Sequence, residues 1–291
     1  MRRSAFPGLL TAAVLLWAGA RLYAEQRVTQ PYVGVTCIDR TETAPRAVHM
    51  HIVQIDLGAP GLRFTLSPPA GGREVVRQTT LEFLEQEQAQ IAVNAHYFLP
   101  YPSSDTDAWV IGIAAADGRV YSAFESPEQS YALLADAPGV NIDRANHATI
   151  VHRDRTQPDG THVAESVALW TTLAGSAQIV TGGATSIPDL AWYSAVNART
   201  AIGLSRDGRT LTLFTVDKSG GSEGMQVGEV ADVLVRDYGV WDALNLDGGG
   251  STTMVLQDPV TQRASVVNAS SDNPAGRSVG SSLAVFARPN P

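Results

Sequence analysis

The run Ala243-Leu244-Asn245-Leu246-Asp247-Gly248-Gly249-Gly250-Ser251-Thr252-Thr253-Met254 constrains this chain more than any other segment. An apolar stretch delivers one carboxylate to three successive glycines, and hydroxyls follow at once. Glycine loses the most conformational entropy on folding, so a triple needs a reason: positive φ, or a main chain that something approaches closely. Asp-Gly between apolar runs is also the commonest hairpin signal, with 243–246 and 252–256 as strands. A two-residue turn leaves the third glycine and the Ser-Thr-Thr behind it unexplained. The segment is therefore read as a functional loop that sets peptide N–H groups beside Asp247, Ser251 and Thr252, suited to an anionic ligand. No Lys follows the glycines and no G-x-G-x-x-G occurs, which excludes the familiar nucleotide loops.

The remaining composition narrows the setting. With 291 residues, 44% hydrophobic and 17% charged, the chain can bury a sizeable core. A net charge of −8 gives no basic footprint for nucleic acid or an anionic membrane. Met1-Arg2-Arg3 followed by the short apolar run from Leu9 to Ala20 reads as a signal peptide over 1–24, and a secreted or periplasmic protein is expected. The run is short for a membrane span, and a retained N-terminal anchor is the alternative. Cys37 is the only cysteine, so no intrachain disulfide forms. No His/Cys cluster shows zinc spacing; whether a metal binds is left unknown, no cofactor is required, and a divalent cation is not excluded.

Local signals predict the elements. Residues 25–46 read as an irregular lead-in, and 47–288 as a single domain. Thr79 with Glu82 forms a capping box that starts a short helix, which feeds an apolar strand ending on Asn94. Asp117-Gly118 and Asp207-Gly208 mark hairpins. Val227, Val230, Ala231, Leu234 and Tyr238 recur at helical spacing before Gly239. Asn94 and Asp247 thus end strands that helices precede, an order that predicts an α+β (α/β-like) fold: a mixed sheet core with flanking helices and ligands at the strand C-termini.

Several blocks together resemble the phosphodiester glycosidase family. They are Ile55-Asp56-Leu57 with Pro60-Gly61-Leu62, Val93 to Phe98, Arg199-Thr200-Ala201-Ile202-Gly203, Thr215-Val216-Asp217, Ser222 to Met225, the Asn245–Met254 loop, and Arg277-Ser278-Val279-Gly280. The resemblance implies an exported hydrolase that cleaves the glycosidic C–O bond of a sugar 1-phosphodiester, of the N-acetylglucosamine 1-phosphodiester kind. Free sugar and a phosphomonoester would be released from a phosphorylated saccharide or glycan. A saccharide- or exopolysaccharide-binding domain without catalysis, or a phosphodiesterase that breaks a P–O bond, are the alternatives.

Candidate residues follow. Asp247 is the first choice for the carboxylate that stabilises or captures an oxocarbenium-like centre, with Asp217 as a second carboxylate. Lys218 stands where the family usually has glycine. His96 replaces a small residue of the family and is a candidate acid or base. Arg199, with Arg277, would hold phosphate through its donor fork. Asn94, Asn245, Gly248, Gly249, Gly250, Ser251 and Thr252 complete the expected binding surface. A leaving phosphomonoester has a second pKa of about 6, so its departure demands charge stabilisation more than a dedicated acid.

Overall fold

A computed structural model describes residues 24–124, 136–270 and 276–290. The expected signal peptide falls almost wholly outside the described residues. No helix among them is long and apolar enough to cross a membrane.

The largest sheet has eight strands in the spatial order Ala24–Tyr32, Val35–Glu42, Val48–Asp56, Thr210–Val216, Arg199–Ser205, Val240–Asn245, Ala177–Thr181, Ala184–Thr185. Opposite lies a five-stranded sheet built on Ile91–Asn94, Met254–Gln257 and Ser282–Phe286. A second five-stranded sheet includes Ala114–Ala116, Gly139–Ile142 and Thr171–Ala174. Strand alternation divides the core into layers. Val53, Ile55, Ile202, Leu213 and Leu244 point between the sheets, where they meet Ile91, Val93, Met254, Leu283, Val140 and Leu173. Their sequence neighbours Ile52, Ala201, Phe214 and Ala243 face outward, against Val227, Val230, Ala231 and Leu234 of the helix Val227–Tyr238. Val230 and Leu234 are fully buried, and each burial contributes ~1.5–3 kcal/mol. The helix Thr80–Glu87 covers the outside of the opposite sheet through Phe83 and Leu84, packed on Ala92, Val255 and Ala284.

This corrects the expected fold class. The molecule is predominantly β, its strand pairs are antiparallel, and only two short α-helices occur among the described residues. The helix-then-strand order misled because each helix joins strands that do not pair with one another. Thr210–Val216 and Val240–Asn245 run in the same direction, yet Arg199–Ser205 lies between them, antiparallel to both. A crossover helix therefore coexists with an antiparallel ladder. The lead-in at 25–46 is also ordered: Ala24–Tyr32 and Val35–Glu42 pair as the sheet edge, with Val35 and Cys37 in the core.

The local signals are realised. Thr79 caps its helix through the Glu82 N–H while the Glu82 carboxylate accepts from the Thr79 N–H at 2.8 Å. Gly239 ends the second helix at φ 64. Both Asp-Gly turns close hairpins, pairing Arg119 with Ala116 and Leu204 with Leu211.

Candidate active site

The glycine-rich loop is the bridge between the two facing sheets. Val240–Asn245 ends in the large sheet and Met254–Gln257 starts in the opposite one. On the way, the Leu246 N–H donates to Thr200 O (2.9 Å) in the first sheet, and the Asp247 N–H donates to Ala95 O (3.0 Å) beside the second. Gly249 turns the chain at φ 58, and its N–H donates to Ala198 O at 2.8 Å. A Cβ on Gly248 would lie 3.0 Å from that same carbonyl oxygen, so close approach of two main chains requires glycine there.

The loop amides are thus not bare. Ser251 and Thr252 also donate within the turn, to Gly248 O and Gly249 O. What the fold builds instead is a supported carboxylate. Asp247 is 9% exposed. Burial pushes its carboxyl up to about 7, against the Ser251 hydroxyl, the Arg277 guanidinium and the Gly248 N–H, which all favour the anion. Arg277 Nη1 donates to Ser251 Oγ at 3.2 Å, so cation, hydroxyl and carboxylate form one chain. Gly248 and Gly249, partly exposed, cover this spot without a side chain.

Asn94, expected to face ligand, is instead a bracket. Its Nδ2 donates to Asp247 O at 2.6 Å, while Oδ1 accepts from Thr200 Oγ1 (2.8 Å) and from the Thr253 N–H (3.0 Å). The residue is fully buried. It fixes the main chain of Asp247 to both sheets. Thr252 is buried too, its carbonyl accepting from Asn268 Nδ2 at 2.9 Å.

Arg199 differs from its expected role. Nε donates to Met225 O (3.2 Å), and Nη2 to Trp192 O and Ala195 O. Burial lowers its pKa, and the neighbouring Tyr97 and Tyr193 oppose that. These bonds make Arg199 a latch for the 192–195 segment, lying behind Gly248.

His96 is not placed to move protons. The Ala174 N–H can only donate, and it donates to Nε2 at 2.9 Å. The ring is taken up by protein on both sides, Nε2 also lying 3.1 Å from Ile113 O and Nδ1 2.8 Å from Ser281 Oγ. Burial holds the pKa down to about 4, against the Ile113 carbonyl, which favours the cation. Asp217 is also committed elsewhere: Oδ1 accepts from the Ala269 N–H (2.9 Å), and Oδ2 lies 3.2 Å from His49 Nδ1 and 3.3 Å from His51 Nε2.

The structure adds residues that the sequence reading passed over. Tyr97 OH accepts from Asn245 Nδ2 at 3.1 Å, and Ser176 Oγ accepts from the same amide at 2.9 Å. Tyr193 OH meets that serine at 2.5 Å. Burial and then the nearby Asp247 raise the Tyr97 pKa well above its ordinary value, so Tyr97 stays neutral. Its ring contacts Trp192 edge-on at 6.0 Å. Arg77 lies next to Arg277: its Nη2 donates to Ser278 O (3.1 Å) and its Nη1 to Ser103 O (2.9 Å) and Asp105 O (3.1 Å), and burial, then Arg277, lower its pKa. Arg277 also lies over the exposed Tyr101 ring at 4.5 Å. A signal for Tyr97 existed in the Asn-Ala-His-Tyr-Phe block; nothing local pointed to Arg77.

Comparisons with known proteins fit this layout. The N-acetylglucosamine-1-phosphodiester alpha-N-acetylglucosaminidases of Mus musculus and Homo sapiens are 44% and 43% identical over 65 residues, covering 22% of this chain. The aligned part spans only 12% of either relative's length. Among solved structures, the catalytic domain of the zebrafish enzyme of that name, auto-inhibited by its pro-peptide, superposes with a TM-score of 0.62. It is 19% identical, over 91% of this chain and 88% of that one. A protein from Synechocystis gives 0.55 at 16% identity, over 91% and 68%. These two likenesses carry the fold alone. A model of the phosphodiester glycosidases matches residues 87–286, well over half of the sequence, and the chain belongs to that family.

Proposed function

We propose that this protein is an exported hydrolase that cleaves the glycosidic C–O bond of a sugar 1-phosphodiester, of the N-acetylglucosamine 1-phosphodiester kind. The carrying observation is the buried Asp247 carboxyl joined through Ser251 to Arg277, its pKa pushed up to about 7 by burial. As an anion it stabilises positive charge at the anomeric carbon, or captures that carbon as nucleophile. Arg277 holds the phosphate oxygens and stabilises the charge left on the departing phosphomonoester. The rings of Tyr97 and Trp192 offer an apolar wall for the sugar. Arg199, Asn94 and Asn245 position these groups and do not touch substrate. Phosphorylated saccharides or glycans are the partners, and the leader at 1–24 directs export.

Hydrolysis of a panel of sugar 1-phosphate diesters in water enriched in oxygen-18 tests the bond cleaved. Label in the released sugar supports this reading. Label in the phosphate overturns it in favour of P–O cleavage, and binding without turnover overturns it in favour of a saccharide-binding domain.

A further inference from the structure

Apart from the Asp247 loop, the chain gathers two imidazoles between two carboxylates. His49 and His51 stand two residues apart on the strand Val48–Asp56, so both rings leave the same face. Asp39 is the direct cross-strand partner of His51. The rings are 4.2 Å apart, centroid to centroid. On their inner side a single oxygen, Asp217 Oδ2, lies 3.2 Å from His49 Nδ1 and 3.3 Å from His51 Nε2. Asp217 is buried, and its other oxygen accepts from the Ala269 N–H. Of these two contacts only that of His51 has hydrogen-bond geometry, so Asp217 sets the proton on His51 Nε2. The opposite nitrogen, His51 Nδ1, then carries a lone pair.

That lone pair and His49 Nε2 both face a second carboxylate. His49 Nε2 lies 2.7 Å from Asp39 Oδ1, and His51 Nδ1 lies 3.9 Å from Asp39 Oδ2. The first contact is a hydrogen bond, and the second sets a lone pair against a carboxylate. A proton on His49 relieves one contact only; 3.9 Å is too long for a hydrogen bond from His51. A cation relieves both. One atom from each of Asp39, His49 and His51 can be chosen so that all lie within 4.8 Å of one another. Donors around a common tetrahedral zinc at ~2.0–2.2 Å lie ~3.3–3.6 Å apart, so side-chain torsion closes the difference.

We infer that Asp39, His49 and His51 form a binding site for a divalent transition metal of the zinc class, with Asp217 as the carboxylate that orients the His51 imidazole. Two nitrogens and one oxygen favour zinc over magnesium or calcium, which prefer all-oxygen sites. The Asp39 and His49 side chains are 53% and 32% exposed, which gives the ion a path in and leaves room for water as a further ligand. The site also reaches the Asp247 loop. Asp217 fixes Ala269, and the adjacent Asn268 donates to Thr252 O and accepts from the Met254 N–H. The ion therefore joins the edge of the large sheet to the segment that supports the glycine-rich turn.

The test is calorimetric titration of chelator-stripped, full-length protein with zinc alone, followed by thermal unfolding with and without the ion. One zinc per chain, a raised Tm, and loss of binding in both His49→Gln and His51→Gln are expected. Asp217→Asn keeps the stoichiometry but weakens affinity ~10–100-fold, as removal of an orienting carboxylate does. If a variant fails to fold, cobalt(II) added to wild-type protein decides: intense visible bands of low-coordinate cobalt support the site, and the pale octahedral spectrum overturns it. The inference also falls if wild-type protein takes up no stoichiometric zinc, or if the histidine variants bind it as well as wild type. Either outcome would make the cluster a hydrogen-bonded histidine bridge.

Discussion

Replacing Asp247 by asparagine should make the protein more stable as the pH rises, relative to wild type, while abolishing turnover. The magnitude follows from the carboxyl's folded pKa of about 7 and an unfolded value of about 3.9. Below pH ~4 both states hold the proton, and the group contributes nothing. Between the two values the folded state keeps a proton that the unfolded chain releases, so stability falls with rising pH. About three pH units at ~1.36 kcal/mol each give a loss of ~4 kcal/mol, complete just above pH ~7. The amide of the variant cannot titrate. Urea unfolding of both proteins at several pH values between about 4 and 8, with equal m-values as a control, measures the difference. The variant's advantage should grow by ~4 kcal/mol across that window. Parallel stability curves would refute the buried-carboxyl reasoning. Because Asn-Gly sequences deamidate, the variant is used fresh, and Asp247→Ser serves as a check. The same pKa makes wild-type activity rise with pH through neutrality, since the anion is the working form.

Arg277→Ala should lower kcat/KM by ~10–100-fold through loss of a charge-assisted contact, and should move the ascending limb of the pH–rate profile to higher pH because its cation favours the Asp247 anion. Arg199→Ala, by contrast, should cost about 3 kcal/mol in urea unfolding by orphaning buried carbonyls. If Arg199→Ala keeps full stability and loses only activity, its assignment as a latch is wrong. His96→Phe should destabilise by ~2–3 kcal/mol, since the Ala174 N–H and Ser281 lose a buried partner, and should leave the pH profile of the folded fraction unchanged. Gly224→Ala should lower stability by more than ~1 kcal/mol: φ is +86, and the new Cβ would lie 2.5 Å from Asn197 O. A melting point equal to wild type would contradict that strain.

What could be read from the sequence was chemistry confined to a few neighbouring residues. The Thr79–Glu82 box, the Gly239 stop and both Asp-Gly turns are each settled within four positions, and each formed. Sheet membership is not local. Asn94 is bonded to Asp247 across 153 positions, and the strand it ends pairs with Met254–Gln257 and Ser282–Phe286, choices that no window around residue 94 contains. The same limit explains the site. Asp247, Ser251 and Arg277 lie together, whereas Arg199, Asn94 and His96 are polar residues at strand ends whose partners are protein. Residue type tells what a group can bond, not whether the fold has already supplied the bond. His-Met-His shows the converse: the spacing lacks the helical or loop pattern of common zinc motifs, yet a period of two on a strand aligns its rings as surely as a helical turn would. The informative groups are therefore those that the fold sets against other titratable side chains rather than against main chain alone. In this chain they include the Asp247 carboxyl at the sheet crossing, with Arg277 beside it, and two imidazoles backed by Asp217.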